Sequence, residues 1–262
     1  MNARMIMHPE DAKAIQTLKK LRGLDTVAKS VMEWGYERLF KGENLGELVK
    51  VTEGNYPVLY RQFAEVVVVV GIHEPELYLY NSPVMNAYTY GDTDPFVAVS
   101  SSMVERMEPD ELKCILAHEC GHILCRHTLY QTVLEVLEDA GSLVGIITEG
   151  VTLPLVMALR YWSRRSELSA DRCAAAVMGE RTFQSAMLKL ASGLPGEVVD
   201  PYQLVRQAEK YEALRTGSLF DRLQQGWRVS FNTHPQMCHR AREIDRWKHS
   251  WQYKQLRAQC PS

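Results

Sequence analysis

Ile115-Leu-Ala-His118-Glu119-Cys120-Gly121-His122-Ile-Leu124 is the stretch on which the reading of this chain turns. On an α-helix, residues four apart stand one above the other on the same face. His118 and His122 can therefore offer both imidazoles to one ion. Glu119 projects partly aside, where it can hold a water rather than the metal. Three titratable side chains lie inside an otherwise apolar run, and burying them unpaired would cost several kcal/mol in total. A bound cation offsets that cost. Gly121 costs about 1 kcal/mol in a helix interior, so it suits a place where another backbone or a substrate comes close. The opposing reading is a chance H-E-x-x-H on a solvated face, but such a match would more often sit among polar residues.

Working outward, Glu108-Pro109-Asp110-Glu111 reads as the helix start, with proline in the first turn and acids complementing the helix dipole. The helix is expected to continue through the motif to about residue 141. On a helix that long and straight, His127 points away from the His118/His122 face. Upstream, residues 76–80 and 96–100 read as short strands, with a turn and a further possible strand between them. Residues 56–70 end in five consecutive valines, which favour a strand, but the spacing of Leu59, Phe63 and Ala64 favours a helix. The remaining chain reads as helical. Helices are expected over 10–22 and 26–40 near the start. Downstream they are expected over 155–178, 182–191 and 201–214, with a last one from 234 to about 257.

Zinc that keeps a position open for water needs a third protein ligand. Ser163-Arg-Arg-Ser-Glu167-Leu-Ser-Ala-Asp171 supplies the best candidates. Glu167 and Asp171 share a helix face, where like charges repel, so something cationic should lie beside them. Glu167 on zinc, with Asp171 hydrogen-bonded to a ligand histidine, answers this. A surface ion-pair cluster with Arg164, Arg165 and Arg172 answers it equally well on spacing alone.

Composition narrows the class. The 262 residues are 46% hydrophobic and 24% charged, ordinary for a globular chain, with a net charge of −2 and no block of like charge. Nucleic-acid binding has no electrostatic support. Residues 1–10 lack the apolar core of a secretory leader, and none of the six cysteines forms a C-x-x-C pair. Reduced thiols in a cytoplasmic protein are the expectation. The apolar run 143–159 contains Glu149, Gly150 and Pro154 and is shorter than the roughly 20 residues of a membrane span. It is expected to be buried or to dock at a surface, which leaves peripheral membrane association open.

The residues resemble the M48 family of metallopeptidases, the group of CAAX prenyl endopeptidases and HtpX-like proteases. Three blocks carry the resemblance: 107–122 with the H-E-x-x-H motif, Glu167-Leu-Ser-Ala-Asp171, and Thr233-His234-Pro235 followed by Arg240. The turn Asn81-Ser-Pro-Val-Met-Asn86-Ala87 is also similar to the family's turn before its edge strand. The resemblance implies an α+β, predominantly helical fold of gluzincin type, a zincin with a small mixed sheet beside the active-site helix. It implies one Zn2+ per chain on His118, His122 and Glu167, with Asp171 behind them and Glu119 as catalytic base. It places His234 near the reacting oxygen with Arg240 supporting it. It sets Asn86 and the strand Phe96, Val97, Ala98, Val99, or its neighbour, along a cleft that takes a peptide or unfolded-protein substrate. Residues 1–51 match nothing in this pattern and are expected to form an N-terminal helical extension to a peptidase domain over 52–262. This extension and a helical insert over 193–229 are both expected to cover the cleft or bind partners. The expected activity is a metal-dependent endopeptidase. A catalytically silent zinc-binding scaffold is the competing reading, opposed by an intact Glu119.

Overall fold

The computed structural model describes residues 1–21, 23–33, 35–143, 149–215 and 235–260. Its centre is a pair of long helices in contact, α7 (Pro109–Leu124) and α9 (Glu149–Met178). The start of α7 is well specified. Glu108 and Glu111 form a reciprocal capping box, Pro109 occupies the first turn, and Asp110 and Glu111 face the positive end of the dipole. From Leu112 to His122 nearly every α7 residue is buried.

The sheet has the order β1 (Val49–Lys50), β2 (Glu76–Tyr80), β4 (Phe96–Ser100), β3 (Ala87–Tyr90). β2 and β4 are parallel; the other two pairings are antiparallel. The sheet is therefore mixed, and β3 is an edge. The strands at 76–80 and 96–100 span the residues expected of them. One sequence expectation is corrected here: Phe96–Ser100 is bonded on both sides, and Val97, Ala98 and Val99 are fully buried, so this strand cannot receive a substrate strand. A continuous apolar run marks a strand covered on both faces, not an edge.

The valine-rich segment is helical, as α5 (Pro57–Val70), because Val66, Val67 and Val70 bury against the main core and outweigh β-propensity. Gly71, at φ 76°, ends it in the left-handed conformation that favours glycine. Two of the helices expected after the sheet are broken. The one through the motif stops at Leu124, where Arg126 takes φ 57°, and restarts as α8 (Thr128–Leu143). The last is split into α12 (Met237–Trp247) and α13 (Trp251–Gln259).

At the N-terminus, α1 (Ala3–Ile6) and α2 (Pro9–Leu18) pack on α9, and α3 (Leu24–Glu33) packs on α8. The expectation of one helix over 26–40 is also corrected, since α3 ends at Glu33 and α4 (Tyr36–Glu47) starts afresh after Gly35. The short α6 (Ser101–Arg106) leads from β4 towards α7. After α9 come α10 (Glu180–Ser192) and α11 (Gln203–Arg215), and α11 packs on α12. Residues 216–229 of the expected insert lie outside the described residues. So do 144–148 of the apolar run. Among the described residues, no helix is long and apolar enough to cross a membrane.

Candidate active site

The crossing of α7 and α9 builds the site. At Gly121 a side-chain carbon would meet the Cys173 Cβ at 2.7 Å and the Ala170 Cα at 3.1 Å. The missing side chain lets the two backbones approach, and that approach carries Glu167 to the two histidines. His118, His122 and Glu167 are all buried, and one donor atom from each lies within 4.8 Å of the others. The two imidazole Nε2 atoms are 3.2 Å apart. Glu167 Oε1 is 3.2 Å from His122 Nε2, and Oε2 is 3.6 Å from His118 Nε2. Ligands about 2.0–2.1 Å from a tetrahedral ion stand about 3.3 Å from one another. Two nitrogens and a carboxylate oxygen at these separations fit zinc.

Asp171, one turn further along α9, accepts from His118 Nδ1 at 3.0 Å. Arg240 of α12 reaches into the same buried space. Its Nε and Nη2 donate to the two oxygens of Asp171 at 2.8 and 2.5 Å, and its Nη1 is 3.3 Å from Glu167. The repulsion expected between Glu167 and Asp171 is thus relieved by a guanidinium as well as by the site they share. Burial opposes a charged Asp171, but Arg240 and His118 hold its carboxyl below the ordinary range. Burial also opposes a proton on either imidazole. At His118 the Asp171 and Glu167 carboxylates outweigh it and push the group up to about 10. At His122 burial prevails and pushes it down to about 4. Burial pushes the Cys114, Cys120 and Cys173 thiols up, so none is poised as a thiolate ligand or nucleophile.

The site floors a cleft of about 570 Å³, into which Glu119 faces. One wall is the edge strand β3 with Asn86 before it; α4 contributes Phe40, Glu43 and Asn44. Of the residues expected along the substrate, Asn86 and Phe96 line this cleft, whereas Val97, Ala98 and Val99 do not. His234 lies outside the described residues. The expectation that His127 points elsewhere is overturned: the break after α7 swings it back, and its Nδ1 is 3.0 Å from His122 Nδ1. The sequence signal was faint, resting on Thr128, a residue type that favours helix starts. The wall formed by α4 agrees with the expectation that the N-terminal helices cover the cleft, but its residues were not named, and the reach of Asp11 toward His127 at 3.0 Å was not foreseen. Both contacts are remote in sequence from the residues they join.

The sequence profile of Peptidase family M48 matches residues 55–248. The chain belongs to this family. It is thereby a metallopeptidase, and a metal ion is its cofactor. Among M48-type relatives, the plastoglobule-localized metallopeptidase 48 of Arabidopsis thaliana chloroplasts is 31% identical over 259 residues, covering 95% of this chain and 74% of that protein. Protease HtpX homolog 2 of Methanosarcina acetivorans is 24% identical over 227 residues, covering 75% of this chain and 74% of the relative. A protease HtpX homolog of Helicobacter pylori is 36% identical over 77 residues, 28% of this chain and 25% of that one. No solved structure matches the chain. The family match leaves α1 to α4 outside its bounds, although both α2 and α4 reach the site.

Proposed function

We propose that this M48 chain is a zinc endopeptidase in which His118, His122 and Glu167 hold one ion. The observation that carries the reading is the buried convergence of those three side chains on the floor of a cleft that Glu119 also faces. Zinc bound there would polarise a scissile carbonyl and bring the pKa of water toward about 7. Glu119 takes the proton of the attacking water and returns it to the leaving amine. Asp171 accepts the His118 Nδ1–H, so that Nε2 is the nitrogen turned to the ion. Arg240 keeps Asp171 charged and holds both Asp171 and Glu167 in place. His234 retains its expected role beside the reacting oxygen on sequence grounds.

The substrate reading moves from β4 to β3. Ser100 N donates to Asn86 O at 2.9 Å, which makes that pair a hydrogen-bonded one. By antiparallel alternation Ala87 and Thr89 turn their N–H and C=O groups away from β4. An extended peptide or unfolded segment pairs with those free groups as an added strand and runs along the cleft that His118, Glu119 and His122 line.

Full-length protein purified without chelator should carry one zinc per chain and cleave a fluorescent casein. Chelation should abolish cleavage and added zinc should restore it. Glu119→Gln should retain zinc while kcat falls by about 10²–10⁴-fold. Undiminished cleavage by Glu119→Gln would refute the mechanism, and zinc without any cleavage in the unmodified chain would return the silent scaffold.

A further inference from the structure

The second nitrogen of His122 is held by a buried chain of side chains that begins on the N-terminal helix α2. His122 Nδ1 faces His127 Nδ1 at 3.0 Å, with the Gln131 amide 3.2 Å from the same atom. On its other side His127 Nε2 lies 3.0 Å from Asp11 Oδ2, in ion-pair contact though not ideally aligned for a hydrogen bond. Asp11 accepts in turn from Ser169 Oγ at 2.5 Å, and that hydroxyl accepts the His8 backbone N–H at 2.9 Å. His122, His127 and Asp11 are each at most 3% exposed. The edge-on ring of Trp162, 5.7 Å from His127, closes the space beside them.

The proton inventory of this chain has one consistent solution when His122 offers Nε2 to a metal. Its Nδ1 then carries the hydrogen and donates to His127 Nδ1, and the Gln131 amide turns its oxygen rather than its NH2 toward that hydrogen. His127 must carry its own hydrogen on Nε2, which faces the Asp11 carboxylate. Without that carboxylate His127 has no reason to prefer this tautomer, and the opposite one sets two N–H groups head to head at His122. A metal-ligating histidine whose outer nitrogen is so oriented is a better ligand.

We propose that Asp11, acting through His127, is a positioning residue for the metal centre, so that helix α2 is a working part of the peptidase site. This rests on the zinc reading above. Asp11 lies outside residues 55–248 matched to the family, and the motif residues by themselves do not point to it. The arrangement parallels Asp171 on His118, with the difference that a second imidazole carries the carboxylate's influence to the ligand.

The test is zinc affinity of the full chain by chelator competition, together with the visible spectrum of the cobalt-substituted protein. Asp11→Asn is nearly isosteric, but its amide can turn either its oxygen or its NH2 toward Ser169 and His127, so it no longer enforces one His127 tautomer. It should weaken zinc about 10–100-fold and shift the cobalt bands. Glu243→Gln serves as control. It loosens the same N-terminal turn, through the 3.4 Å contact of Glu243 with His8, yet leaves Asp11 and His127 untouched. It should lower stability without changing zinc affinity or the cobalt spectrum. A folded Asp11→Asn with unchanged affinity and spectrum overturns the proposal. Should that variant not fold, His127→Phe, which keeps a ring against Trp162 and removes both nitrogens, carries the same two outcomes. An unmodified chain that takes up no zinc sinks the metal-centre reading itself and the relay with it; tight zinc in the unmodified chain with no effect in the variants sinks the relay alone.

Discussion

Asp171 shows how one residue can serve both chemistry and stability. It is fully buried, accepts from a proposed zinc ligand and accepts from Nε and Nη2 of Arg240. Removing one partner of a buried ion pair leaves the other uncompensated, at a cost of about 3–5 kcal/mol. Asp171→Asn keeps the shape and loses the charge, and Glu167 still faces Arg240 at 3.3 Å. A destabilisation near the lower end, about 3 kcal/mol, is therefore expected in denaturant unfolding. Zinc affinity should fall about 10–100-fold alongside it. Unchanged stability in that variant would mean that Glu167 alone satisfies Arg240. At this scale the sequence was most informative. His118, Glu119, His122, Glu167 and Asp171 could each be singled out, because their spacing on two helices is itself a geometric statement. Arg240 could be named as a support for His234; that its guanidinium meets Asp171, across 69 residues of chain, was not legible.

Between elements, the decisive contact is α7 against α9. Gly121→Ala puts a methyl into Cys173 and the Ala170 backbone. Overpacking of this kind costs about 1–3 kcal/mol. The same shift should pull Glu167 away from the histidines, so the melting temperature and zinc affinity should fall together. An alanine variant with wild-type affinity would show that the helices can part elsewhere. The second element-level prediction concerns β3. Ala87→Pro removes an N–H that faces away from β4, and proline is tolerated on an edge strand. Stability should change little while kcat/KM for peptide substrates falls. Equal activity would argue that substrate does not pair along this edge. The existence of β2, β4 and most helices was legible from pattern. Strand order was not, because pairing depends on which apolar run the helices cover. The break at Arg126 was not legible either, since helical periodicity runs on through a single left-handed residue.

Across the whole molecule, the first turns of the chain are tied to its last helices. His8 caps α2 through Nδ1 and meets Glu243 of α12 with Nε2, while Arg172 donates to the Met7 carbonyl at 3.2 Å. The His8 imidazole beside it is the largest influence on Glu243, whose carboxyl is pulled down from 4.5 to about 2. A carboxyl depressed by folding adds stability that is complete above its unfolded value and disappears as pH falls through its folded value. The stability difference between the wild type and Glu243→Gln should therefore shrink toward zero as pH falls from about 5 to about 2. A difference that does not vary over this range, measured by unfolding at a series of pH values, would place the effect of Glu243 in packing and not in charge.

The same long-range ties separate what the chain declares from what only folding decides. A metal-binding helix, its acidic partner helix and a small sheet follow from local periodicity and from the chemistry of a few side chains. These are short-range properties, and a linear sequence carries them intact. The edge of the sheet, the inward turn of His127 and the arrival of Asp11 and α4 at the cleft depend on how surfaces tens of residues apart bury one another. Hydrophobic burial rewards area removed from water whichever segments supply it, so no local pattern announces which helix will close a site.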